Sequence, residues 1–174
     1  MSINMTGKLK FAEQAGMTLI EALVAVFIFG VAMTAIFSVT VSNSNTANLV
    51  KNSYIASGLA QEGVELVRNL RDGDWIASRS FGAFGDPGGS VIPDGDYQIQ
   101  WDSNLLSAYS DNYLKKTTDG LYNYVSGNQT LFKRKIRVTT IVPGVEKKIA
   151  VDVTWYERGS SRAVTVEDHL YNWW

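Results

Sequence analysis

The stretch Gly16-Met17-Thr18-Leu19-Ile20-Glu21-Ala22-Leu23-Val24-Ala25-Val26-Phe27-Ile28-Phe29 opens an apolar run that lasts to Val41 and holds a single charge, the Glu21 carboxylate. About 20 apolar residues suffice to cross a bilayer, so this run is long enough to span one. An acid inside such a run costs roughly 2.5–3.5 kcal/mol even on lenient insertion scales. The next charge along the chain is Lys51, too far along a helix to neutralise it. The counter-charge must come from another molecule, which points to a subunit that assembles with copies or relatives of itself.

Hydrophobicity alone admits two other readings. A secretory signal peptide has an apolar core of roughly 7–15 residues, shorter than this run, and Val39 to Asn45 offers only a poor cleavage site. A simple signal anchor fits the hydrophobicity but leaves the spacing from Gly16 to Glu21 unexplained. The residues Gly16 to Glu21, followed by Ala22 to Phe29, resemble the N-terminal signature of type IV pilins and the related secretion pseudopilins. The resemblance implies that residues 1–16 are a leader, that a prepilin peptidase cuts after Gly16, and that the same enzyme N-methylates Met17. It also implies an assembly role for Glu21, paired with the N-terminal ammonium of a neighbouring subunit. Two departures from the family pattern are visible. Met17 stands where Phe is commoner, and Ser38 stands near the place where many major pilins carry proline. Gly30 is expected to loosen the helix locally.

Net charge is −1, and removing the leader with Lys8, Lys10 and Glu13 leaves 14 basic and 16 acidic residues. That balance argues against a dedicated nucleic-acid or anionic-surface partner. Lys8 and Lys10 ahead of the apolar run place the N-terminus in the cytoplasm by the positive-inside rule, with the bulk of the chain outside. Cysteine is absent, so no disulfide staples the C-terminal region.

After the leader (1–16) that the resemblance implies, periodicity predicts an α+β protein of three segments: a transmembrane half-helix (17–41), an amphipathic half-helix (42–72) and a β-rich head (73–174). Ile55, Leu59, Gly63, Leu66, Val67 and Leu70 share one helix face, against Gln61, Glu65, Arg68 and Asp72 on the other. Glu65–Arg68 and Arg68–Asp72 are spaced to pair. Asp72-Gly73 reads as the helix stop, giving a helix on the order of 80 Å long. Residues 73–95, with two Pro/Gly turn clusters, read as an irregular connection. Tyr97, Ile99 and Trp101 then alternate as a half-buried strand, and residues 102–120 read as a surface excursion. In the last third Phe132, Ile136 and Val138 share a strand face (with Arg134 between them), as do Ile149, Val151, Val153 and Trp155. Val164 and Val166 continue it after turns at Pro143-Gly144 and Glu157 to Ser160. A helix lying across such a meander is the pilin architecture, reached here from periodicity.

No enzymatic constellation is visible. His169 is the only histidine, and no nucleophile elbow, phosphate loop or dinucleotide fingerprint occurs. Asp72 with Asp74, and Asp94 with Asp96, read most simply as turn residues. Asp94-Gly95-Asp96 also admits a calcium loop, although its spacing falls far short of an EF-hand. The Lys133, Lys135, Arg137 face admits DNA, or equally a solvated strand face that blocks unwanted pairing. Leu170-Tyr171-Asn172-Trp173-Trp174 reads as rings closing the core or as a contact surface.

The expectation is therefore a non-enzymatic structural subunit, a minor pilin of a type IV pilus or related filament, without cofactor or metal. Its expected partners are the prepilin peptidase, other pilin subunits, the inner-membrane assembly platform and the membrane itself. It starts as a single-pass precursor in the cytoplasmic membrane and ends in an extracellular pilus or pseudopilus. Two alternatives stay open: a pseudopilin of a type II secretion system, and a membrane-anchored extracytoplasmic binding protein that does not polymerise.

Overall fold

The computed structural model describes residues 17–173; the leader, including Gly16, and Trp174 lie outside them. One helix, α1 (Leu19–Ile76), begins in a first compact unit that ends at Thr46 and continues into a second that starts at Ala47.

In the first unit the helix is unbroken through Gly30 and Ser38, so the loosening expected at Gly30 is not seen. Its large apolar side chains are turned outward, with Leu19 81% and Phe37 75% exposed. Hydroxyls on this apolar surface are satisfied within the helix. Thr34 Oγ1 donates to the Val31 carbonyl at 2.7 Å and Thr40 Oγ1 to the Ile36 carbonyl at 2.9 Å. Such back-bonding removes the polar penalty of a hydroxyl in hydrocarbon.

In the second unit α1 packs on an antiparallel sheet. Ala56, Leu59, Ala60, Gly63, Val64 and Val67 are buried at three- and four-residue intervals, the spacing of a single helix face. The strands are β1 (Gly95–Gln98), β2 (Ser107–Ala108), β3 (Lys115–Lys116), β4 (Tyr122–Asn123), β5 (Asn128–Gln129), β6 (Phe132–Val142), β7 (Glu146–Glu157) and β8 (Ser160–Tyr171). The main sheet runs β2-β1-β6-β7-β8, and a small second sheet runs β4-β3-β5. Phe132, Ile136 and Val138 face α1 beside Ile149, Val151, Val153 and Trp155, all buried as the alternation predicts. Val164 and Val166 are only partly buried. The β7–β8 hairpin closes on Arg158 and Gly159, both at positive φ (52° and 79°), the two-residue turn whose twist matches paired strands.

Four expectations need correction. The helix does not stop at Asp72-Gly73; it ends at Ile76. Ser78 takes the left-handed conformation (φ 55°), its N–H donates to the Trp75 carbonyl at 3.0 Å, and the Arg79 N–H reaches the Asp74 carbonyl at 2.8 Å. That is a Schellman cap built on serine. A buried Asp74 side chain holds it, accepting from the Gly85 N–H and from Arg79. Arg68 does not pair with Asp72; it bridges Glu65 (3.1 Å) and Asp168 on β8 (3.0 Å). The strand at Tyr97 ends at Gln98, leaving Ile99 buried but Trp101 half exposed. Finally, 102–120 is more than a surface excursion, because Leu106 and Leu114 enter the core.

Arg134 is fully buried among the apolar residues of β6. Its guanidinium donates to the Ile99 carbonyl at 2.7 Å and the Leu59 carbonyl at 3.2 Å, and lies 3.3 Å from Glu62 Oε1. It joins helix, central strand and the end of β1 through one side chain. Its guanidinium supplies a polar staple that satisfies a carbonyl outside the sheet ladder.

Candidate functional site: the N-terminal assembly helix

The first turn of α1 is set by four residues. Thr18 is the N-cap: its carbonyl accepts the first helical bond from the Ala22 N–H at 3.1 Å, and its Oγ1 accepts from the Glu21 N–H at 3.3 Å. Thr18-Leu19-Ile20-Glu21 thus has the capping-box pattern, with the threonine arm formed. The sequence reading missed this role for Thr18, although Thr-x-x-Glu before an apolar run is the signal for it. Met17 precedes the cap and is exposed, and Glu21 is exposed on the first turn.

The cap explains part of Glu21's placement but not all of it. A carboxylate in the first turn gains typically 0.3–1 kcal/mol from the positive end of the helix. Placing an acid within an apolar span costs roughly 2.5–3.5 kcal/mol. That figure holds at the centre of a span and is smaller toward its end; whatever cost the helix end leaves needs a further positive charge, and no basic residue lies on α1 before Lys51. The span around it has mean hydropathy 2.5, and none of it is buried within the protein. This surface is one that only lipid or other apolar helices can cover.

The candidates in the head resolve into structural roles. Asp94 accepts from the Thr140 N–H (2.9 Å) and from Thr140 Oγ1 (2.6 Å), and lies 3.6 Å from Lys147 Nζ. The Thr140 bonds, helped by Lys147, hold its carboxyl below the ordinary value. Asp96 pairs with Lys135 (3.3 Å) and Arg137 (3.5 Å). Among the described residues no three His, Asp or Glu side chains gather as a metal site would need. In the Lys133, Lys135, Arg137 stripe each cation faces a carboxylate: Asp111 for Lys133 at 2.7 Å, Asp96 for Lys135, and Asp152 for Arg137 at 3.0 Å. A stripe neutralised in this way offers little counterion release to a phosphate backbone. At the C-terminal end only Leu170 is in the core; Tyr171 and Trp173 are exposed, and Trp173 lies 5.9 Å from Trp75 beside Arg71. The described rings therefore do not close the core. Trp174 lies outside the described residues.

Residues 12–37 match the family described as the prokaryotic N-terminal methylation motif, and this span takes in Gly16, Met17, Thr18 and Glu21. No curated protein and no solved structure matches the chain. The motif is the signature of type IV prepilins and pseudopilins, and it coincides with the capped, apolar, outward-facing helix described above. The motif and the apolar helix fit a membrane-anchored precursor of the type IV pilin or pseudopilin kind, and the long helix packed on an antiparallel sheet is an α+β, pilin-like fold. The signature implies processing by a prepilin peptidase and assembly with other pilins.

Proposed function

We propose that the protein is a minor pilin, a structural subunit of a type IV pilus or related filament that carries out no chemistry of its own. The observation that carries this reading is the pairing of an outward-facing apolar helix with a lone carboxylate in its first turn, inside the methylation motif. Cleavage after Gly16 creates an ammonium at Met17 only four residues from Glu21. One chain then presents both halves of an ion pair that adjacent chains can exchange. As subunits pass from lipid into a filament, each Glu21 meets the ammonium of a neighbour, which offsets the burial cost left uncompensated by the helix end. The apolar surfaces of residues 17–41 pack on one another, and the heads remain outside. Orientation follows the leader lysines, N-terminus in the cytoplasm.

The test is the intact mass of the protein from native cell envelopes and from sheared surface material. The expected species starts at N-methylated Met17 and is present in the sheared fraction. The same species confined to the envelope, in a cell whose secretion fails without it, would assign the protein to a secretion pseudopilus instead. A chain retaining Met1, or one cut beyond Val41, would make it a simple anchor or a secreted domain and end the filament reading.

A further inference from the structure

The main sheet has two unequal edges. One is β2, two residues long; the other is β8, twelve residues long and paired only with β7. A long open edge is a template for another strand, and proteins usually blunt one with proline, lysine or a bulge. β8 has no proline or lysine, and its register with β7 runs without a shift from Ser160 to Tyr171. Its single inward acid, Asp168, is neutralised through Oδ2 by Arg68.

We propose that β8 pairs antiparallel with β8 of a second copy of this chain, about a two-fold axis at Thr165. The two-residue turn at Arg158-Gly159 makes Glu157 and Ser160 a hydrogen-bonded pair, so even-numbered residues of β8 bond to β7. The odd-numbered residues Ser161, Ala163, Thr165, Glu167 and His169 turn their N–H and C=O groups outward. A dyad at Thr165 sets odd residues against odd residues, as a new ladder requires. On the helix-facing side it also places Arg162 opposite the partner's Asp168 and Val164 opposite the partner's Val166, each twice. Dyads at Val164 or Val166 keep the ladder parity but set Arg162 against Val166 or Leu170 and lose the charge match. Arg162 is exposed and has no carboxylate partner among the described residues, while Asp168 Oδ1 accepts no hydrogen bond there. A groove of about 450 Å³ between α1 and β8, lined by Gly58, Gln61, Glu62, Glu65, Arg68 and Val166, leaves room beside the added strand.

Such a contact is isologous, whereas neighbours within one polar filament are related by a screw and cannot share a dyad. The contact therefore joins chains that do not belong to the same filament, and it does not depend on the filament assignment.

The chain has no cysteine, so single thiols report the register. Full-length protein in detergent micelles is treated with a short thiol-bridging reagent. Thr165→Cys should give a covalent dimer, since facing Cα atoms in a hydrogen-bonded pair lie about 5.5 Å apart. Ala163→Cys or Glu167→Cys alone should not, their copies being about 14 Å apart, but a mixture of the two should. Adding Arg162→Glu to Thr165→Cys should lower the dimer yield about tenfold, by setting like charges opposite each other. Absence of the Thr165→Cys dimer, or equal linking of all three single variants, would overturn the proposal.

Discussion

Replacing Arg134 tests whether the buried cation holds the head together. Its side chain is fully buried and donates to two carbonyls of different standing. The Leu59 carbonyl lies inside α1 and keeps its helical bond to the Gly63 N–H whatever happens to Arg134. The Ile99 carbonyl lies just beyond β1 on a buried residue, and losing its 2.7 Å donor orphans it at about 1–3 kcal/mol. Glu62, its side chain about one-third exposed, can turn to water. Arg134→Met keeps most of the stem volume and removes the charge, so the orphaned carbonyl dominates and the loss should be about 1–2 kcal/mol. Arg134→Ala adds a cavity next to Gly63 and Val151, for a total of about 3–5 kcal/mol. At 2–4 °C per kcal/mol for a chain of this size, the melting temperature should fall by about 4 °C for Met and about 12 °C for Ala. Near-ultraviolet circular dichroism of full-length protein in micelles reads the transition, because Phe132 and Trp155 pack on each other within the same core. An Arg134→Ala protein that melts within 2 °C of wild type would refute the argument.

Gly16→Val should leave an uncleaved precursor in the membrane, seen as an unchanged intact mass; normal maturation would remove the processing assignment. Glu21→Val should be cleaved and methylated normally yet be missing from sheared filaments, and wild-type incorporation would refute the counter-charge argument. Gly63→Ala should destabilise the head by about 1–3 kcal/mol, because its new Cβ would lie 2.8 Å from Val151 Cγ1; a neutral effect in a denaturant melt would mean that helix and sheet separate easily. Asp94 is held below its ordinary value of 3.8 by Thr140 and Lys147, so the stability it contributes is full above that value and fades as pH falls through its lowered one. Asp94→Asn should therefore lower the melting temperature at pH 7 while changing it little at pH 2, and an equal loss at both would disprove the linkage.

The sequence made some elements readable because one force decided each of them. Residues 19–41 had to be a helix, since an apolar run of that length leaves its backbone no other way to satisfy itself in lipid. β6 and β7 alternate cleanly because one face packs on α1 and the other meets water. Reading failed where two forces competed. Asp72-Gly73 looks like a stop, but the buried Asp74 and its bonds to Gly85 and Arg79 pay for another turn, a contact of sequence separation that no local pattern encodes. Trp101 continues the alternation of Tyr97 and Ile99 on paper; pairing ends at Gln98, and the ring stays half in water. Arg134 sat in plain view on the apolar face of its strand, yet its partners Leu59, Glu62 and Ile99 come from two other segments. At the N-terminus the methylation motif spans Gly16, Met17 and Glu21, while Thr18 needed only its capping pattern to be recognised.

The Thr18 cap also bears on the processing that the signature implies. A peptide bond must be extended to enter a peptidase, and helical backbone resists this. The first helical bond is received by Thr18, and Met17 ahead of it is not helical. The bond joining Met17 to the residue before it therefore lies on the free side of the cap, and breaking it unwinds no part of α1. Met17, the residue that the proposed processing would methylate, sits outside the helix. The newly formed ammonium is repelled by the positive end of its own helix. It is better placed to reach outward to an acid on another chain, so under the proposed function a single threonine separates the part of the chain to be edited from the part that would assemble.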